Sequence, residues 1–132
     1  MKIKCKTVSK GKAQGSALVT TEPLSFLGGV DPKTGEITEK GHPLEGESID
    51  GKVLIFPNGK GSTVGVYVLY QLKKAGKSPA ALINVNADTM VASGAIISKI
   101  PMVHKPRKNP FNIKTGSTVF VNADEGYVEV MD

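Results

Sequence analysis

The chain has no tryptophan, one arginine and one cysteine, Cys5, and each scarcity closes off a class of function. A lone cysteine excludes an internal disulfide and any metal site built from this chain's thiolates alone. An iron–sulfur cluster would need ligands from another polypeptide. Aromatic residues are 5% of the chain and the basic side chains are sixteen lysines to one arginine, so stacking platforms and bidentate base readers are both in short supply. No nucleic-acid partner is expected. Apolar runs are also missing: none approaches the ~20 residues that a membrane span needs. The opening Met1 to Lys6 alternates polar and apolar residues as a strand does and lacks the apolar core of a secretory signal. The expectation is a cytoplasmic protein without membrane contact. Cys5 reads as an inert small side chain on the inner face of a first strand, with no base near it in sequence to make it reactive.

What is present describes one soluble domain over residues 1–132. Hydrophobic residues make up 39% and charged residues 22%, with 15 glycines to turn the chain, a composition that folds rather than stays disordered. The net charge of +5 is unevenly placed. Residues 1–21 carry five lysines and no acid, residues 22–50 carry seven acids against Lys33 and Lys40, and residues 89–123 carry five basic residues and no acid. Such a dipolar surface suits an acidic partner or an anionic substrate.

The densest signal lies between Gly51 and Gly76. Val53 to Phe56 is a short run of strand formers, stopped by the turn chemistry of Pro57, Asn58, Gly59 and Gly61. Ser62 then stands where a helix N-cap belongs. From Val64 the apolar residues Val64, Val68, Leu69 and Leu72 recur at helical spacing, and Lys73, Lys74 and Gly76 supply the last turn and its stop. The turn therefore delivers a hydroxyl to a helix N-terminus, where unpaired amides and the macrodipole stabilise an anion or a serine alkoxide. Ser62 reads equally as a plain N-cap. Lys60 reads as a cation beside it or as a solvated turn lysine. Gly59 and Gly61 let the backbone bend and approach a ligand. A phosphate-binding loop is excluded, because Gly61 separates Lys60 from Ser62 and Leu54 stands where the first glycine is needed. A hydrolase nucleophile elbow is excluded by Lys60 and Val64 at its glycine positions.

Elsewhere the signals favour short strands. Ile3 to Val8 is expected as strand one, Ala17 to Thr20 as strand two and Glu36 to Thr38 as a strand returning from the Asp31-Pro32-Lys33-Thr34-Gly35 turn. Pro79 to Asn84 reads as a fully buried strand, which implies a parallel crossover. Asp88 is expected to cap a short helix that Gly94 stops, with Ala95 to Ile97 and Met102-Val103 as further strands. Thr118 to Asn122 and Tyr127 to Met131 flank a hairpin turn. The expected fold class is α/β, mixed and strand-rich, a compact sheet or small barrel with two helices packed on it.

Four motifs in order, Pro23 to Gly35, His42-Pro43-Leu44-Glu45-Gly46, Gly59-Lys60-Gly61-Ser62, and Ser78-Pro79-Ala80-Ala81 with Gly94-Ala95-Ile96, resemble the aconitase X small-subunit family. The resemblance runs from about Ser16 to Val103. It implies the swivelling β/β/α barrel-like domain that forms the mobile part of aconitase, here as its own polypeptide. It also implies a partner large subunit whose cysteines hold an iron–sulfur cluster, expected as 4Fe-4S, with no metal on this chain. The implied reaction is loss of water from mevalonate 5-phosphate, a small phosphorylated hydroxy acid; some relatives dehydrate a hydroxyproline, and a swivel module that binds phosphorylated metabolites without catalysis is the further alternative. In the family pattern Ser62 is the base, supported by Gly59, Lys60, Gly61 and Thr63. Phe26, Gly28, Gly29, Asp31 and His42 are expected to line the site, dock the large subunit or pack locally. Leu27 stands where an aromatic is common in the family, and Thr63 where a second serine is frequent.

Overall fold

A computed structural model describes residues 1–60 and 65–131. The strands are β1 (Lys2–Lys4), β2 (Lys6–Ser9), β3 (Lys12–Val19), β4 (Val53–Phe56), β5 (Ala81–Asn84), β6 (Met102–His104), β7 (Thr118–Asn122) and β8 (Tyr127–Val130), with helices α1 (Gly65–Lys74) and α2 (Thr89–Ser98). They form an eight-stranded sheet in the order β1-β8-β7-β3-β4-β5-β6-β2. The two strands at its ends, β1 and β2, are neighbours in the chain, joined only by Cys5. The sheet must therefore curl until its edges meet: the Cys5 amide extends the β1–β8 ladder to the Gly126 carbonyl at 2.8 Å, and the Lys4 carbonyl accepts the Arg107 amide from beyond β6 at 2.8 Å. This closure removes the exposed edges an open sheet would leave. The expected first strand is thus two strands, broken where the chain passes from one end of the sheet to the other.

The strands β3, β4, β5 and β6 run parallel, with the 20–52 segment as the crossover from β3 to β4 and α1 and α2 as those from β4 to β5 and from β5 to β6. β4 and β5 are buried along their whole length, and their alternate residues feed two cores. Leu54, Phe56 and Leu82 point to the layer beneath the helices, packed with Leu69, Leu72 and Val91. Val53, Ile55 and Ile83 point into the barrel with Ile3, Val103, Val119 and Val128. A strand buried on both faces shows no polar alternation, which is why both read as continuous apolar runs.

Four expectations give way. Gly94 does not end α2; it sits inside the helix, where an added Cβ would lie 2.8 Å from Leu69 Cδ1 and 3.4 Å from Val66 Cα. Its role is to let the two helices approach. The helix runs on through Ala95 to Ile97, the proposed strand, and stops at Lys99 in the left-handed conformation, φ 57°. Glu36 to Thr38 makes only isolated bridges, Val30 to Ile37 and Glu36 to Ser48, because the 20–50 segment covers one end of the sheet instead of joining it. The second strand also begins earlier than Ala17, at Lys12, paired along β7. The capping role of Asp88, the hairpin of β7 with β8, and the left-handed Gly35 (φ 80°) after its turn agree with the sequence.

Candidate active site

In a parallel sheet the carboxyl ends of the strands open toward loops that carry function. Here the exits of β4, β5 and β6 bring together the turn at Pro57–Lys60, the loop at Val85–Asp88 and the segment after His104. Pro57 O accepts the amides of Val85 (3.1 Å) and Asn86 (3.3 Å), and Val85 O accepts the amide of Lys105 at 3.0 Å. Loop 20–39 closes the other side: Leu24 donates its amide to Asn58 O (3.3 Å) and its carbonyl accepts the Lys60 amide (3.1 Å).

The Gly59-Lys60 backbone is held from two directions. Asp88 bridges it to α2: Oδ1 accepts the Gly59 amide at 2.8 Å while Oδ2 accepts the Val91 amide at 3.1 Å. A Cβ on Gly59 would stand 2.4 Å from Val91 Cγ2 and 3.0 Å from Asp88 Oδ1, so glycine is required by proximity. On the opposite side Glu39 pairs with Lys60 at 2.7 Å and accepts the Ser25 amide at 3.0 Å. Partial burial pushes the Glu39 carboxyl up, but the Lys60 hydrogen bond, the Ser25 amide and the charges of Lys60 and His42 outweigh it and hold the group below the usual Glu range. The Lys60 ammonium is thus committed to a carboxylate, although its side chain is half exposed.

The other expected site residues separate in space. Phe26 is buried, its ring edge-on to Phe56 at 6.0 Å, and packs the core beneath the loop. Gly28 is exposed with φ 79°. Gly29 is buried where a Cβ would meet the Ser25 carbonyl, which lets Glu39 reach its partners. Asp31 organises its own turn, its Oδ1 accepting the Lys33 amide at 2.8 Å. His42 is buried with both ring nitrogens engaged: Nδ1 accepts the Leu44 amide at 3.0 Å, which leaves Nε2–H to donate to Pro23 O at 3.1 Å. That is a structural histidine, both ring nitrogens engaged by the backbone. Gly61, Ser62 and Thr63, and Val64 where the helix was expected to start, lie outside the described residues.

Sequence reasoning missed Glu39, the second bond of Asp88, and Asn84. Asn84 is fully buried at the end of β5, its Nδ2 donating to Phe56 O at 3.0 Å while Oδ1 has no partner among the described residues. A polar residue closing an apolar strand was the available signal. His104, at the end of β6, accepts the Ala87 amide through Nδ1 at 3.0 Å. Burial, then the neighbouring charges of Lys105 and Lys6, push its pKa below the ordinary His value.

The donor set does not fit a metal cluster. Burial raises the Cys5 thiol to about 11, far from the thiolate a cluster needs, and among the described residues no three His, Cys, Asp or Glu side chains gather. No helix among the described residues is long and apolar enough to cross a membrane.

Comparison with known proteins places this geometry in context. A family model described as the aconitase X swivel domain matches residues 2–130. The small subunit of phosphomevalonate dehydratase from Methanosarcina mazei is 54% identical over 99% of this chain and 92% of its own length. That from Thermococcus gammatolerans is 54% identical over 100% and 99%. The crystal structure of aconitase X from Thermococcus kodakaraensis in its holo-form superposes with a TM-score of 0.95 at 52% identity, covering 100% of this chain and 99% of that one. A relative solved by solution NMR gives 0.90 at 48% identity over the whole of both chains.

Proposed function

The chain belongs to the aconitase X swivel-domain family, and from that premise we propose that it is the small subunit of a hydro-lyase that converts (R)-mevalonate 5-phosphate to trans-anhydromevalonate 5-phosphate in isoprenoid synthesis. The observation that carries this reading is near-complete similarity: about half of all positions are identical over 99% of the chain to subunits of that named activity, on a backbone with a TM-score of 0.95 to aconitase X. The iron–sulfur cluster is assigned to the large subunit, which this chain meets in the cytoplasm.

Within this chain the reaction asks for a base. The proton to be removed sits on the carbon next to the substrate carboxylate, and the hydroxyl to be lost sits on the following carbon. As the C–H bond breaks, its electron pair forms the double bond and the C–O bond releases hydroxide, which is protonated to water. Ser62 takes that proton as an alkoxide, with Gly59, Lys60, Gly61 and Thr63 supporting it. A serine oxygen is basic enough only when its anion is stabilised, which helix amides and a positive dipole end supply. The Asp88 and Glu39 anchors support the assignment, because a base must be held within a fraction of an ångström of its proton. The Lys60–Glu39 pair supports a role for Lys60 in placing the turn rather than in carrying free charge.

The test is reconstitution with the large subunit under anaerobic conditions, with loss of water from mevalonate 5-phosphate as the readout. Ser62→Ala is expected to assemble normally and to lose turnover by several orders of magnitude. Full activity in that variant removes Ser62 as the base, and inactivity of the wild-type pair removes the substrate assignment.

A further inference from the structure

The pattern Lys2-Ile3-Lys4-Cys5-Lys6 puts one residue type on each side of an extended segment. Ile3 is buried in the barrel and Cys5 packs against the same core, while Lys2, Lys4 and Lys6 are exposed. Along the seam these three cations span about 13 Å at ~3.3 Å per residue. The chain after β6 then adds two more. Arg107 donates its amide to Lys4 O at 2.8 Å and Lys105 donates its amide to Val85 O at 3.0 Å. Lys105 is held at φ 52°, a conformation that non-glycine residues adopt only when their surroundings fix it. The result is a cleft of about 480 Å³ lined by Lys2, Lys4, Lys6, Lys105, Arg107 and a single carboxylate, Glu125.

No salt bridge among the described residues ties up these cations, although Glu129 stands opposite Lys2 across β1 and β8. The two ion pairs, Lys60 with Glu39 and Lys77 with Asp50, involve none of its cations. Lys2 rests over the Tyr127 ring at 4.5 Å, and Glu125 is occupied by the Asn122 amide group at 2.9 Å. The His104 pKa is lowered first by burial, and the further lowering by Lys105 and Lys6 fits a local excess of positive charge.

Two features decide what the cleft takes. A pocket for one small anion presents converging backbone amides, but here the amides of Cys5, Lys105 and Arg107 are all spent on carbonyls. Recognition falls instead on flexible side chains strung along a line, the form that meets a row of carboxylates on another protein. The cleft also borders the candidate active site, since Lys105 is two hydrogen bonds from Pro57 through Val85. A partner that covers the reaction turn reaches it.

We propose that this cleft is where an acidic surface of the large subunit docks, an inference that rests on the two-subunit reading above. The experiment measures the association rate and affinity of this chain with its large subunit, anaerobically and over a range of salt. The cleft variant Lys4→Glu with Arg107→Glu is compared with Lys33→Glu with Lys114→Glu, which changes net charge equally at exposed positions elsewhere. Thermal unfolding confirms that both variants are folded. The cleft variant is expected to associate about tenfold or more slowly at low salt, with the deficit shrinking as salt screens it, while the control stays within about twofold of wild type. Equal behaviour of the two variants overturns the proposal. So does saturable binding of inorganic phosphate or of an oligonucleotide at Lys4 and Arg107 in amide NMR spectra, together with subunit association that ignores the cleft charges. A wild-type pair that dehydrates mevalonate 5-phosphate while both variants associate alike removes the docking site and leaves the function standing. A pair that assembles through the cleft without turning over that substrate does the reverse, and a wild-type chain that never joins the large subunit removes both.

Discussion

Asp88 is the residue on which the candidate site's backbone should most clearly depend. Its two carboxylate oxygens do different work: one caps α2 through Val91 and the other holds the Gly59 amide. Asp88→Ala loses a cap, about 1 kcal/mol, and leaves the amide of buried Gly59 without an acceptor, about 1–3 kcal/mol. The sum is about 2–4 kcal/mol, or a fall in unfolding midpoint of roughly 8–16 °C at about 4 °C per kcal/mol for a chain of this size. Asp88→Ser separates the two parts. Serine caps nearly as well as aspartate, but it has one oxygen on a shorter stem and cannot serve Val91 and Gly59 together. It should fall between wild type and alanine, recovering about 1 kcal/mol of the loss. The assay is urea unfolding of the isolated chain followed by circular dichroism, since the absence of tryptophan rules out its fluorescence, with coincident far- and near-ultraviolet transitions as the two-state check. A serine variant as stable as wild type would show that the Gly59 bond carries nothing. An alanine variant within about 0.5 kcal/mol of wild type would refute the whole account of the clamp.

Three further outcomes follow from the same geometry. Gly94→Ala should be nearly neutral, because a helix-propensity gain of about 1 kcal/mol offsets displacement of the flexible Leu69 methyl; Gly94→Val presses on the Val66 backbone and should cost about 1–3 kcal/mol, and equal stability of the two variants in urea would contradict close helix packing. For Glu39 the native pKa lies below the unfolded one, so its stabilisation is complete above the ordinary Glu value of 4.5 and is lost as pH falls through the native value. The stability gap between wild type and Glu39→Gln, under about 1 kcal/mol for a pair this exposed, should therefore close on acidification, and a gap that widens toward low pH would reverse the sign argued here. Cys5, raised from 9.0 to about 11, should be alkylated at neutral pH about 100-fold more slowly in the native chain than in urea; comparable rates would mean the thiol is not shielded.

Much of this protein was legible in its sequence because local chemistry and burial agree there. Val53 to Phe56 and Ala81 to Asn84 are apolar on both faces and became the central parallel strands; Asp88 announced a cap; the hairpin after Asn122 followed its turn residues. The failures share one cause. Gly94 stops a helix by local rule, yet a contact with Leu69, a residue of the other helix, makes it the point of closest approach and carries the helix past it. Glu36 to Thr38 has strand chemistry but no free sheet edge to join. Phe26 and His42, whose motifs left a site, docking or packing role open, serve the fold as a core ring and as a hydrogen-bonded spacer.

Composition, patterning and motif order by themselves determined the class of fold, the family, the two-helix crossover and that no metal site can be built from this chain's thiolates alone, because each depends on residue types and short spacings. The tertiary structure alone decided that the sheet closes at Cys5, that Glu39 and Asp88 grip the same turn from opposite sides, and that lysines from the first six residues face Lys105 and Arg107 across one cleft. Those pairings join segments as far apart in the chain as Cys5 and Gly126, and electrostatics and hydrogen bonding act over ångströms of space, which periodicity along a chain does not encode.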